Sequence, residues 1–262
     1  MIASIGAATI EIVKGVRGVF ALLADILYWI CLGPFRGKAA RAASIFYQMV
    51  FVGLHSVVIV FFVTFFSGVV LAMQTATQLE KMGAVIYVAS LVAVSLCREL
   101  SPVFTALVVA GRVGSAFAAE LGSMKVSEQI EALDTMAINP TRYLAVPRFL
   151  ALLVMLPCLT ILGNFSGIFG GLVVGVTSLS INSDLYIQTT YKYLELKDIY
   201  TGLIKSVVFA IIIALIGCYE GLNTKGGAEG VGKATTRAVV ISFILIIIAD
   251  CILTSIFYFS KV

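Results

Sequence analysis

Charge is scarce in this sequence, and histidine is almost missing. Only 12% of its 262 residues are Asp, Glu, Lys or Arg, half of the roughly 25% usual in a soluble domain. His55 is the single histidine, and no Ser or Cys stands beside it in a recognisable nucleophile motif, so a nucleophile–base catalytic site has no support. The five cysteines, Cys31, Cys97, Cys158, Cys218 and Cys251, are far apart in apolar surroundings and form no CxxC. That spacing offers no zinc or redox motif, and buried Cys otherwise behaves as a small hydrophobe. No catalytic residue and no metal site are expected. The net charge of +4 does not point to nucleic acid, because no soluble segment interleaves basic residues with aromatics. The N-terminus lacks a basic region ahead of its first apolar residues, and no small-residue cleavage site follows, so no cleavable signal peptide is expected.

Apolar residues fill the place of the missing charge. They make up 60% of the chain, and the mean hydropathy is +1.07. Runs of roughly 20 residues or more, enough to cross a bilayer, occur at 49–73, 84–110, 144–177, 199–218 and 238–259. The third is too long for one straight crossing and must tilt, kink or lie partly in the interface. An all-α integral membrane protein with five transmembrane helices is predicted. The loops at 1–48, 111–148 and 219–237 hold Lys14, Arg17, Arg36, Lys38, Arg41, Arg112, Lys125, Arg142, Arg148, Lys225, Lys233 and Arg237, whereas the other side holds Lys81, Lys192, Lys197 and Lys261. The positive-inside bias then places the N-terminus in the cytoplasm and the C-terminus outside.

Before the first span, Ile5, Ile12, Val16, Val19, Leu23, Ile26 and Ile30 recur at helical spacing, with Glu11, Lys14 and Arg17 off the stripe. This predicts an amphipathic helix in the cytoplasmic interface, ended by Gly33-Pro34. The run 19–32 is too short to span and contains Asp25. Residues 1–48 thus read as an N-terminal amphipathic interfacial region and 49–262 as a five-span membrane domain.

Gly163, Gly167, Gly171 and Gly175 share one helix face in the third span, and Gly114, Ala118 and Gly122 form a weaker stripe. Small residues let helices approach closely in lipid, and the pattern alone fits internal packing as well as a subunit contact. An odd number of spans argues against a simple inverted-repeat transporter. The segment GAEGVGKA at 227–234 nearly matches a phosphate-binding loop, but Ala234 replaces the Mg²⁺-ligating hydroxyl and a membrane span precedes it. Its glycines read as a tight loop, with Thr235 or Thr236 capping the last span.

Four ionisable residues fall inside apolar runs: Arg98, Glu99, Lys205 and Asp250. Each costs about 2.5–3.5 kcal/mol at a helix centre on insertion scales, and such residues usually face a cavity or a partner. Adjacent residues diverge by about 100° on a helix, so Arg98 and Glu99 need partners elsewhere, and Lys205 and Asp250 have the right signs. Pro102 removes an N–H from the same helix and predicts a kink. A polar substrate cavity is favoured over a purely structural ion pair with Lys205 snorkelling outward. Between the second and third spans, residues 123–137 predict an amphipathic helix, with Val126, Ile130, Leu133 and Ala137 opposed by Glu128, Glu131 and Asp134 and with Asn139-Pro140 as the stop. Such a helix either lies solvated or docks into a cytoplasmic partner.

The run LCRELSPVFTALVVAGRVGSAFAAELGSMKVSEQIEALDTMAINPTRYLAVPR at 96–148, with LIKSVVFA at 203–210 and GGAEGVGKATTRAVV at 226–240, resembles the MlaE (YrbE) permease family of ABC-type lipid transporters. The likeness extends from about residue 45 to the C-terminus. It implies a homodimeric permease bound to cytoplasmic ATPase subunits and a periplasmic MCE-domain ring, with a STAS-domain protein often joining. Its substrate would be phospholipid moved between inner and outer membranes. ATP and Mg²⁺ would then sit on the partner ATPase, with no cofactor in this chain. The 123–137 helix would be the coupling helix within a segment of about 120–140, with Glu120, Val126, Glu128, Ile130 and Leu133 as ATPase-coupling residues. Arg98, Glu99 and Lys205 match charged positions near the family's lipid cavity. A self-powered carrier or channel using the same intramembrane charges is the alternative, and it would need no ATPase.

Overall fold

The computed structural model describes residues 2–33 and 41–259. Pro34, Arg36, Lys38 and Lys261 lie outside the described residues, as do the side chains of Ile5, Glu11 and Ile12. The described chain is all α-helical. Helix α1 (Ile2–Cys31) is followed by α2 (Ala42–Glu80), α3 (Val88–Ser95), α4 (Ser101–Val109), α5 (Ser115–Val126), α6 (Gln129–Thr135), α7 (Val146–Thr177), α8 (Ser183–Tyr193), α9 (Leu196–Leu222) and α10 (Gly227–Phe259). Among the described residues, five helical stretches are long and apolar enough to cross a membrane: Ala42–Glu80, Val85–Val126, Thr141–Thr177, Leu196–Leu222 and Gly227–Phe259. The first has 39 residues, about 58 Å at 1.5 Å per residue, well beyond a hydrocarbon core of roughly 30 Å.

Among the described residues, two π-turns interrupt the second stretch, at Leu96–Leu100 and Ala110–Gly114, and a third opens the next at Thr141–Ala145. The first carries Arg98 and Glu99 inside an apolar run, and the other two carry Arg112 and Arg142 at the borders of apolar runs. A π-turn widens the helix by one residue and re-aims the side chains beyond it. The long third run is one continuous helical stretch with Pro157 inside α7.

The chain divides into two compact units. The first comprises residues 1–49, 110–152 and 211–243. Its core gathers Ala118, Ile216 and Ala238, with Val19, Ile212 and Ile241 packed against them. The Gly114–Ala118–Gly122 stripe is used here, since a Cβ on Gly114 would meet Ile213 and one on Gly122 would meet Thr224. Along α1, Ile26 is fully buried and Val19, Leu23 and Ile30 half-buried, whereas Val16 is exposed. Helix α10 starts at Gly227, after Gly226 and Gly227 take positive φ. Thr235 and Thr236 therefore lie inside the helix, bonded to carbonyls of Val231 and Gly232, and do not cap it.

The second unit comprises residues 50–109, 153–210 and 244–262. Ala72, Ala76, Val88, Val92, Leu96 and Val174 form its core cluster. The third-span glycine stripe is spent on internal packing. Cβ atoms on Gly163 and Gly167 would press on Thr64, and those on Gly171 and Gly175 would press on Tyr186. The hydroxyls of Thr64 and Ser166 bond across this seam between α2 and α7.

Candidate functional site

Within the second unit, the π-turn Leu96–Leu100 presents Arg98 and Glu99 to the same face of α9. Asp198, Gly202 and Lys205 recur there at i, i+4 and i+7, a single helical stripe. Arg98 Nε donates to Asp198 Oδ1, and Lys205 Nζ donates to Glu99 Oε2. The adjacent residues thus find separate partners seven positions apart on one helix. Lys205 Nζ also lies 2.9 Å from Asp250 Oδ1, a charge contact whose alignment makes no hydrogen bond, and donates to Thr254 Oγ1 at 2.7 Å. Thr254 in turn lies 3.3 Å from both Glu99 oxygens.

Exposure divides the roles. The Lys205 side chain is 1% exposed, while Glu99 is 37% and Arg98 48% exposed. Lys205 does not snorkel; it is held behind Glu99. Arg98 takes Asp198 as its partner, and the expected carboxylate, Asp250, is turned to Lys205. Asp198 was legible as a charge of the right sign near the start of the fourth span, but its loop-side position disguised it. A cavity of ≈ 210 Å³ is lined by Arg98, Glu99, Lys197, Thr201, Lys205 and Thr254, with Phe257 and Tyr258 adding aromatic wall. Drug-sized sites run to roughly 300–1,000 Å³, so this cavity takes a small polar group and not a whole lipid. Leu96 is fully buried in the core cluster and does not reach it.

In the first unit, the segment expected as one helix over 123–137 is two. Helix α5 runs to Val126, the chain turns at Ser127–Glu128 where Glu128 adopts φ 59°, and α6 covers Gln129–Thr135. A non-glycine residue at positive φ breaks helical continuity. The expected apolar stripe is therefore divided: Ile130 is buried and Leu133 half-buried, while Val126 and Ala137 are exposed. A hydrogen bond from Lys125 holds the Glu131 carboxyl below the usual carboxylate range. Glu120 Oε2 accepts from Arg148 Nη2 at 2.7 Å, so the pair ties the end of the second span to the start of the third.

Among families of known proteins, one described as Permease MlaE matches residues 45–256. The chain belongs to the MlaE permease family. A protein of Rickettsia typhi named "Probable ABC transporter permease protein" is 42% identical over 97% of this chain and 96% of its own length. The Haemophilus influenzae intermembrane phospholipid transport system permease protein MlaE is 39% identical over 80% of this chain and 81% of its own. The chloroplastic protein TRIGALACTOSYLDIACYLGLYCEROL 1 of Arabidopsis thaliana is 40% identical over 74% of this chain and 55% of its own. In this MlaE-family chain, the matched region holds the cavity residues up to Thr254 and both elements of the 120–140 segment.

Proposed function

We propose that this chain is the transmembrane permease subunit of an ABC transporter that moves phospholipid between inner and outer membranes. It would work as a homodimer, with a cytoplasmic ATPase that binds ATP and Mg²⁺, a periplasmic MCE-domain ring and, in some assemblies, a STAS-domain protein. The observation that carries this reading is the alignment with the Haemophilus influenzae phospholipid-transport permease over four-fifths of both chains.

The cavity geometry supports it. Arg98, half-exposed, would meet the headgroup phosphate, and Glu99 would hold a cationic amine. Lys205, buried behind Glu99, would orient that carboxylate and balance its charge. Partners at depth offset the several kcal/mol that three isolated membrane charges would cost. Phe61–Val70 on α2 would carry the acyl chains, several of them exposed as a phenylalanine-rich wall. The ATPase would dock on the 120–140 segment through Glu120, Val126, Glu128, Ile130 and Leu133.

Purification of the native assembly, with mass spectrometry of bound subunits and lipids, tests the whole reading. A nucleotide-binding subunit and bound phospholipid are expected; an active, ATPase-free protein supports the self-powered carrier instead. Photo-crosslinkers at Phe65 and Thr201 are expected to capture phospholipid in the assembled complex. No lipid adduct at either site, together with full transport by a Glu99→Gln, Lys205→Met double variant, sinks the cavity assignment.

A further inference from the structure

We propose that Gly202 is a positioning residue of this cavity: its missing side chain lets the π-turn of the second span press its backbone onto α9, which sets Arg98 and Glu99 against their partners. The inference rests on the proposed lipid site for its functional consequence, but its geometry stands on its own.

The chain of causes begins at Pro102. Ser101 N–H reaches back five residues to the Leu96 carbonyl. The next residue in that pattern, Pro102, has no N–H to offer the Cys97 carbonyl. That oxygen is aimed at α9 instead. A Cβ built on Gly202 would lie 2.1 Å from Cys97 O and 3.1 Å from Pro102 Cγ, closer to the oxygen than real Cβ atoms come. The obstructing atom is backbone, so no side-chain rotation can relieve the clash. Glycine is the one residue that fits, and Cα–H···O contacts of this kind recur where helices meet closely.

Gly202 lies between Asp198 and Lys205 on the same stripe of α9, and Cys97 lies next to Arg98 and Glu99. The close contact is thus flanked by the two ion pairs that border the cavity. Separating the helices there by the width of a methyl group would lengthen both pairs while leaving every charged residue in place. A site could then be lost with its chemistry intact.

The full chain in lipid nanodiscs provides the test. Solid-state NMR with carbonyl-labelled Cys and Cα-labelled Gly is expected to show a through-space Cys97–Gly202 cross-peak, assigned by its loss in Cys97→Ala. A second cross-peak, Lys Nζ to Glu Cδ and assigned by its loss in Lys205→Met, reads the Lys205–Glu99 pair. Gly202→Ala is expected to abolish the second cross-peak and lower lipid crosslinking at Phe257 at least tenfold. Gly232→Ala, where a Cβ meets nothing within 4 Å, is expected to change neither. Pro102→Ala restores a donor for the helix carbonyls, so the Pro102→Ala, Gly202→Ala double variant is expected to regain the pair. The same proline change should give no rescue of Gly175→Ala, which separates relief of this contact from general stabilisation. Absence of the Cys97–Gly202 cross-peak from the unaltered protein overturns the proposal, and this measurement decides even if Gly202→Ala does not fold. A Lys205–Glu99 cross-peak that survives Gly202→Ala overturns it as well. Both cross-peaks behaving as expected in a protein that captures no lipid supports the positioning role and overturns the lipid reading of the cavity.

Discussion

Arg148 donates from Nη2 to Glu120 Oε2 at 2.7 Å, while its Nη1 bonds the Leu144 carbonyl at 2.8 Å and its guanidinium lies over the Phe117 ring. The arginine is buried and the glutamate half-exposed. A desolvated guanidinium is expensive unless it is partnered, and here a carboxylate, a carbonyl and an aromatic ring share that task, although Nε is buried without a hydrogen-bond partner. Glu120 thus has a structural duty alongside the coupling role proposed for it.

Replacing Glu120 by Gln is therefore expected to destabilise the protein. The cost should be about 1–2 kcal/mol, reduced from the roughly 3–5 kcal/mol of a fully buried pair because Glu120 is half in solvent. Unfolding in mixed detergent measures it. Arg148→Met combined with Glu120→Gln should cost less than the sum of the single changes, and strict additivity would show that the two side chains are not coupled.

Tyr186 leads to a second expectation. Its ring fills the space beside Gly171 and Gly175, where added Cβ atoms would come within 2.8 Å and 2.6 Å of it, and its hydroxyl is buried without a hydrogen-bond partner. Gly175→Ala should then destabilise by about 1–3 kcal/mol through overpacking. Tyr186→Phe should be neutral or stabilising, because it removes an unpaired buried polar group. Burial pushes the Tyr186 phenol up to about 12, above its ordinary value near 10. Because burial alone raises it, the phenol adds no pH dependence below its unfolded value, where both states hold the proton. Relative to Tyr186→Phe, stability should therefore fall between about pH 10 and 12, as the unfolded chain ionises and the buried phenol does not. Ultraviolet titration of the wild type minus Tyr186→Phe should show a tyrosinate step near the upper end of that window; a step near pH 10 contradicts the burial.

The five spans were legible because hydropathy and the length of a bilayer-crossing helix leave little choice. The charged partners were only half legible. Sign and depth suggested Lys205 for Glu99, and the structure pairs them. The same reasoning offered Asp250 to Arg98, and it failed because a straight-helix picture sends adjacent residues apart, whereas the π-turn turns both toward α9. No spacing rule marks a π-turn, although Pro102, two residues after LCREL, hinted at irregular backbone. The break at Ser127–Glu128 was hidden for a related reason: apolar spacing at 126, 130 and 133 fits one helix, and only the backbone shows Glu128 at positive φ. The glycine stripe left packing and subunit contact open until Thr64 and Tyr186 were found against it.

Topology gives a third prediction. The basic residues divide twelve to four between the two sets of loops, and the positive-inside bias then predicts an inward N-terminus and, after five spans, an outward C-terminus. Single cysteines at Ser127 and Ser183, in a background without the five native ones, should label with an impermeant maleimide from opposite sides of sealed vesicles. Labelling of both from one side would require a different number of crossings between them.

The coupling segment gives the last. Ile130 is buried and Leu133 half-buried, whereas Val126 and Met136 are exposed. These exposed apolar groups, at the end of α5 and just after α6, are available to a partner, and Leu133 borders them without anchoring the unit's core cluster. Leu133→Asp places a charge at that border, where docking would have to desolvate it, a penalty of several kcal/mol for an unpaired carboxylate. The five spans contain none of the altered atoms, so membrane insertion and detergent stability should stay near wild type. ATPase co-purification should fall at least tenfold, and lipid-dependent ATP turnover should fall with it. Ile130→Asp is the contrasting variant: it buries a charge inside the first unit, and it is expected to lower stability as well as association. The two phenotypes separate a docking surface from a packing position. Normal ATPase binding and turnover in Leu133→Asp would return α6 to a solvated loop helix, and would move the search for the coupling contact to the exposed residues on either side of Glu128.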